Sequence, residues 1–238
     1  AMSEVRAIVQ GTREEMDLLT ASAISLGSAT KFTATEVAGL QKEYAKLGFT
    51  VEEILAITEG TLDLAEATGT DLATAAQVAG ATLRQFGLDA SQMGRVVDVM
   101  AKSFSSSALD LEKFKVAMAT VAPVARASGK DIEFTSARLS VLADAGIDAS
   151  TAGTSLRSIF LELNKRGLTF EEGLRKINES TNKNVTALDL FGKRGATAAL
   201  VLAENTEKAE KLEKAYDDAT GSAEEMARIM EDNLIGDT

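Results

Sequence analysis

One short phrase recurs along the chain at intervals near 20 residues. A glycine or other small residue is followed by an apolar residue, then Thr or Asp, then a polar stretch opening a helical pattern. The clearest copies are Gly48-Phe49-Thr50-Val51-Glu52-Glu53, Gly87-Leu88-Asp89-Ala90-Ser91-Gln92 and Gly167-Leu168-Thr169-Phe170-Glu171-Glu172. Looser ones are Gly69-Thr70-Asp71, Ser107-Ala108-Leu109-Asp110, Gly129-Lys130-Asp131 and Gly146-Ile147-Asp148. Glycine ends a helix because it takes the left-handed conformation without a Cβ clash. Thr or Asp then caps the next helix by accepting from its free N–H groups, with Glu53, Gln92 and Glu172 at the return position of a capping box. The apolar residue before the cap is placed to staple onto the residue five later: Phe49 on Ile54, Leu88 on Met93, Leu109 on Phe114. Phe32, Thr33, Glu36 and Val37 follow the same rule without the glycine. The phrase predicts a succession of helices joined by tight turns.

Between the turns, apolar residues step by three and four, as in Leu156, Ile159, Phe160 and Leu163. Helices are predicted over 4–28 (interrupted around Gly11), 33–47, 50–67, 71–86, 89–105, 110–128, 131–145, 148–166, 169–180 and 186–203. Pro123 falls inside the helix over 110–128 and is expected to bend or break it. It is the only proline, and alternating β-branched runs are absent, so strands have little support. Gly48 to Gly87 spans 39 residues, Gly87 to Gly129 spans 42 and Gly129 to Gly167 spans 38. Two helices and two turns per unit of that length is the spacing of stacked helical hairpins. The fold class is therefore all-α, an array of short antiparallel helices forming either an irregular bundle or a helical-hairpin solenoid.

After residue 203 the character changes. Residues 204–238 hold eleven acids and four bases, a net charge of −7, against −4 for residues 1–203. Glu204–Lys208, Glu207–Lys211 and Glu210–Lys214 are spaced four apart with the acid first, the favoured order on a helix, beside a thin stripe of Ala203, Ala209, Leu212, Ala215 and Tyr216. Asp217-Asp218 and Gly221 end this helix, and Ser222 with Glu225 is expected to cap one more. Two regions are expected: a helical core over 4–203 and a charged, coiled-coil-like extension over 204–238. Neither end reads as a natural terminus, so the chain is expected to be a fragment of something longer.

The chain contains no Cys and no His, which excludes disulfides, Cys/His zinc sites and imidazole or thiolate chemistry. The pairs Glu14-Glu15, Glu52-Glu53, Glu171-Glu172 and Glu224-Glu225 fall in first helical turns or on exposed faces, where the helix dipole accounts for them. Ser103-Phe104-Ser105-Ser106-Ser107 has no base to activate a hydroxyl and reads as a flexible hinge. The stretch from Gly146 to Thr154 invites comparison with a phosphate-binding loop, but it lacks the lysine and the preceding strand. There Gly146 closes a helix, Asp148 caps the next, and Gly153 allows a second backbone to approach. Lys165-Arg166 and Lys193-Arg194 read as isolated doublets near helix ends. No catalytic, cofactor-binding or metal-binding residue is predicted, and no enzyme activity. The net charge of −11 argues against specific nucleic-acid binding. No apolar run approaches the roughly 18 residues that a membrane span needs.

The run from Leu139 to Arg157, where a helix ends in Ala145-Gly146-Ile147 and a small-residue turn leads to Ala152-Gly153-Thr154, resembles a block of bacteriophage and prophage tail tape measure proteins. The Ala-rich helix Ala76–Phe86 before Gly87-Leu88-Asp89, the turn Gly167-Leu168-Thr169 and the helix around Leu188–Gly192 resemble the same family, so the likeness spans most of 20–200. The resemblance implies a structural, non-catalytic role without cofactors: a long helical chain in the lumen of the virion tail, assembled in the host cytoplasm, that sets tail length and assists assembly and DNA ejection. It implies tail tube protein, tail-tip or baseplate proteins, tail assembly chaperones and further copies of itself as partners. The alternative is a non-viral helical scaffold or adaptor that binds a partner protein through a helical-repeat face.

Overall fold

The computed structural model describes residues 2–236 and contains thirteen α-helices, with no strand among the described residues. They are α1 (Met2–Val9), α2 (Arg13–Ala29), α3 (Ala34–Lys46), α4 (Val51–Thr68), α5 (Leu72–Phe86), α6 (Met93–Ser106), α7 (Leu111–Ala127), α8 (Ile132–Asp144), α9 (Ala149–Arg166), α10 (Phe170–Asn178), α11 (Lys183–Glu204), α12 (Thr206–Asp217) and α13 (Ser222–Gly236). Residues 237 and 238 of the charged extension lie outside the described residues. The all-α expectation holds, and the helices group into two compact units, each an irregular bundle. One takes residues up to 101 together with those from 220 onward; the other holds residues 102–219.

The recurring phrase does what its chemistry predicts. Thr33, Thr50, Asp71, Asp110, Asp131, Asp148 and Thr169 each accept a backbone N–H at a helix start, and Glu36, Glu53 and Glu172 complete capping boxes. Gly146 shows why glycine precedes them. Its φ is +77°, and the turn closes with Ile147 N–H donating to Leu142 O at 3.0 Å, a bond available only with a left-handed residue between.

In the second unit α7 and α11 lie most heavily on α9, the neighbour two along the chain, and in the first α3 packs on α5 as well as on α2. This alternation brings turns of the same kind side by side. Arg84 donates to Gly48 O at 3.1 Å and its guanidinium lies 4.1 Å from the Phe49 ring centre, joining the turns at Gly48 and Gly87. Lys130 pairs with Glu171 at 3.2 Å and Asn164 donates to Ser128 at 2.9 Å, joining those at Gly129 and Gly167. The spacings of 39 and 38 residues are thus stacked hairpins, placed in separate bundles.

In the first unit, Leu40, Tyr44, Ile54, Ile57, Leu62, Leu64 and Leu83 are fully buried, and Tyr44 meets Phe49 edge-on at 5.4 Å. In the second, α8 is the central helix, with every residue from Ile132 to Leu142 buried. Phe134, Phe160 and Phe170 cluster with ring centres 5.1–6.3 Å apart. α12 covers α8 through a largely polar seam: Lys208 to Asp144 at 2.5 Å, Tyr216 to Ser140 at 2.7 Å, and Glu213 to buried Arg138. Among the pairs expected within the charged stretch, Glu207–Lys211 forms at 2.7 Å, whereas Lys208 turns to Asp144.

Several local expectations are corrected. The interruption near Gly11 is a complete break, with Thr12 and Glu15 forming an additional capping box. At Gln92 no capping box forms: Asp89 bonds Ser91 N–H, the first turn tightens to a 3-10 helix over Ala90–Gln92, and α6 begins at Met93. Of the two outcomes expected at Pro123, the break does not occur, and α7 continues to Ala127. The serine-rich segment is not a loose hinge. α6 is helical through Ser106, Ser107 Oγ donates to Ser103 O at 2.8 Å, and Ala108 N–H donates to Asp144 at 2.7 Å. α13 is not capped by Ser222, which is its first helical residue. Asp98 of α6 accepts from Gly221 N–H and Ala223 N–H, both at 2.9 Å. The predicted helix over 186–203 is two helices meeting at Gly192, whose φ of 62° and ψ of −176° are not helical.

Candidate functional site

In three of the four carboxylate pairs a member is held in a cap or an ion pair. Glu53 and Glu172 close capping boxes with Thr50 and Thr169, and Glu171 pairs with Lys130. Backbone and then side-chain hydrogen bonds from Thr169 hold the Glu172 carboxyl below its ordinary value, and Thr33 does the same to Glu36. The Asp148 carboxyl is lowered by the Thr151 side chain and backbone. Among the described residues, no group of three or more carboxylates is arranged to hold a metal ion.

One acidic cluster behaves differently. Asp63 of α4 is half-buried, and burial raises its carboxyl to about 6, helped by Glu59, Glu224, Glu66 and Asp98. These groups come from α4, α6 and α13, so the cluster lies where α13 packs on α4. Asp98 is committed to the α13 N–H groups, while Glu66, itself buried, pairs with Lys31 at 3.1 Å. The arrangement is a store of electrostatic repulsion rather than an acid–base pair.

The Gly146–Thr154 block and the Lys193-Arg194 doublet, which sequence reasoning treated separately, are brought together in the second unit. They line a groove of about 390 Å³ with Ile147, Ser150, Thr151, Thr154, Ser155, Thr197 and Ala198. Local chemistry explains how this forms. Gly153 lets α9 cross α7 in backbone contact: a Cβ there would lie 2.6 Å from Ala117 O and 2.8 Å from Ala117 Cα. That crossing fixes the first two turns of α9, whose hydroxyls face the groove. Across from them, the chain break at Gly192 starts a new helix segment with Lys193 and Arg194 in its first turn. The groove has no carboxylate in its lining. The signal that was available in the sequence was a glycine standing directly before a cationic doublet, inside an otherwise uninterrupted helical pattern.

Among the described residues, no helix is long and apolar enough to cross a membrane. A protein-family profile described as phage-related minor tail protein matches residues 20–233. The chain is similar to the tape measure protein of Pneumococcus phage Dp-1, 33% identical over 261 aligned positions that take in 98% of this chain and 23% of that protein. It is similar also to the probable tape measure protein of Escherichia phage P2, 29% identical over 268 positions covering 99% of this chain and 33% of that protein. The chain therefore spans between 23% and 33% of the length of these relatives. No solved structure matches it.

Proposed function

The chain belongs to the phage-related minor tail protein family, and on that footing we propose that it is a segment of a tail tape measure protein. Its role is structural: it forms part of a chain that sets tail length, assists tail assembly and leaves ahead of DNA at ejection. The observation that carries this reading is the family match across 20–233, joined to tape measure relatives that align with nearly the whole chain. Residues 4–203 are the tape measure core region, and residues 204–238, which hold most of the net charge, are a charged helical extension. The segment works in the tail lumen, after a cytoplasmic stage of assembly. Its partners are the tail tube protein, tail-tip or baseplate proteins, assembly chaperones and further copies of the chain. The family match speaks against a non-viral helical scaffold.

An α-helix advances about 1.5 Å per residue, so a helical chain converts residue number into length. In-frame duplications and deletions in helical stretches of the parent gene, followed by electron microscopy of tails, test the proposal. Tail length is expected to rise and fall with the residues added or removed. Tails of unchanged length across a series of viable variants would sink the ruler function.

A further inference from the structure

The groove between the start of α9 and the post-Gly192 part of α11 combines features that select for negative charge. Five hydroxyls and two cationic side chains line it, with Ile147 and Ala198 as apolar floor. Neither Lys193 nor Arg194 forms an ion pair among the described residues, and both are exposed. Ser155, only 5% exposed, also contributes its hydroxyl to the lining. The groove also lies at the N-terminal end of an 18-residue helix, where the dipole favours negative charge. Asp148, which caps that helix, does not line the groove, and its carboxylate is engaged by Thr151 N–H at 3.0 Å.

We infer that this groove binds the carboxylates of an acidic segment in a partner polypeptide. The volume of about 390 Å³ is far larger than one small ion needs and lies within the range of peptide and ligand sites. The donors form rows rather than a single cup: Ser150 with Thr154 on successive turns of α9 and Lys193 with Thr197 across from them, while the Thr151 hydroxyl is held by Asp148. Rows one helical turn apart suit carboxylates carried at intervals along a chain. A nucleic-acid backbone has the right sign at short range but meets the field of a chain with net charge −11 on approach. A short acidic segment pays much less of that repulsion.

Fluorescence anisotropy of a labelled octaglutamate peptide, titrated with the 238-residue chain at low salt, tests this. Saturable binding is expected, weakened at least tenfold in the double variant Lys193→Gln, Arg194→Gln. Ser155→Ala is expected to weaken it by a smaller factor. Replacing two exposed lysines elsewhere in the same unit, Lys165→Gln with Lys176→Gln, should leave binding unchanged, which separates the groove from general charge. Circular dichroism establishes that each variant is folded. Absence of saturable binding, or equal loss in the two double variants, overturns the inference. So does tighter groove-dependent binding of inorganic phosphate or a single-stranded oligonucleotide than of the peptide, which would make the groove a phosphate site.

Discussion

At the scale of single residues, two glycines in one sequence block do opposite work, and their variants should differ accordingly. Gly146 has open space where a Cβ would go but a φ of +77°, so Gly146→Val carries backbone strain alone, about 1–2 kcal/mol. Gly153 is helical, yet an added methyl would press into Ala117 backbone, so Gly153→Ala must part α7 from α9 at about 1–3 kcal/mol. Urea unfolding measures both; wild-type stability for Gly146→Val would refute the turn, and for Gly153→Ala the close crossing. Gln41 is the reverse case. It is fully buried in α3, and neither atom of its amide end has a hydrogen-bond partner among the described residues. Gln41→Met keeps the shape and removes the unpaired groups, so a gain of about 1 kcal/mol is expected by the same measurement, and a loss would mean the amide is satisfied. Asp63 makes stability depend on pH with an unusual sign. Its carboxyl is raised to about 6, above the unfolded value, so the fold prefers it protonated. Stability from this group is present at acidic pH and falls as pH rises from about 4 through about 6. Melting temperature should therefore drop between pH 5 and pH 7, and Asp63→Asn should flatten the change. An unaltered profile in that variant would assign the pH dependence elsewhere. Below pH 4 the depressed carboxyls of Glu36, Asp71, Asp148 and Glu172 act in the opposite direction, because their stabilisation is lost on protonation.

At the scale of elements, most boundaries were legible because they are written in local chemistry. Thr50, Asp71, Asp131, Asp148 and Thr169 each bond the N–H group three residues ahead, and no tertiary information is needed to see them. What escaped depends on contact across the chain. Ser222 with Glu225 had the spacing of a capping box, but Ser222 is already helical and Asp98, far off in sequence, takes the cap by accepting from Gly221 N–H and Ala223 N–H. Gly192 looked like one more helical residue because the apolar period continues on both sides of it, so the groove beyond it was invisible until the chain was folded. The hydroxyls and the cationic doublet are each legible in the sequence, and only their juxtaposition needs the folded chain. Asp98 is the clearest element-level test. It satisfies two donors at the start of α13 while standing near Asp63, so removing it trades a lost cap against relieved repulsion. The cap is the larger effect, because charge-assisted bonds to N–H groups are direct and the repulsion is partly screened by water. Asp98→Ala should cost about 1 kcal/mol and speed amide hydrogen exchange in the first turns of α13 specifically. Unchanged exchange there would show that α13 is held by its packing on α4 alone.

At the scale of the whole molecule, charge sets what the chain can meet. Its net −11 is concentrated after residue 203, and its cations are mostly spent in pairs with nearby acids, such as Lys46 with Glu43, Lys130 with Glu171 and Lys208 with Asp144. Affinity for a nucleic-acid backbone comes from many cations releasing counterions together, so it needs a continuous basic face. Lys193 and Arg194 are two charges, too few to offset the surrounding field on a polyanion, though enough to orient a short acidic segment. That distinction matters under the proposed tail role, because a protein that leaves the tail ahead of DNA works best when the DNA does not adhere to it. Gel-shift assays at about 20 mM salt, where electrostatic binding is at its strongest, should show no retention of double-stranded DNA. Weak retention that disappears in the Lys193→Gln, Arg194→Gln variant would place it in the groove and fit two phosphate contacts. Strong retention that survives those substitutions would instead reveal a basic surface assembled from the chain as a whole, and the separation of the tail role from DNA contact would fail with it.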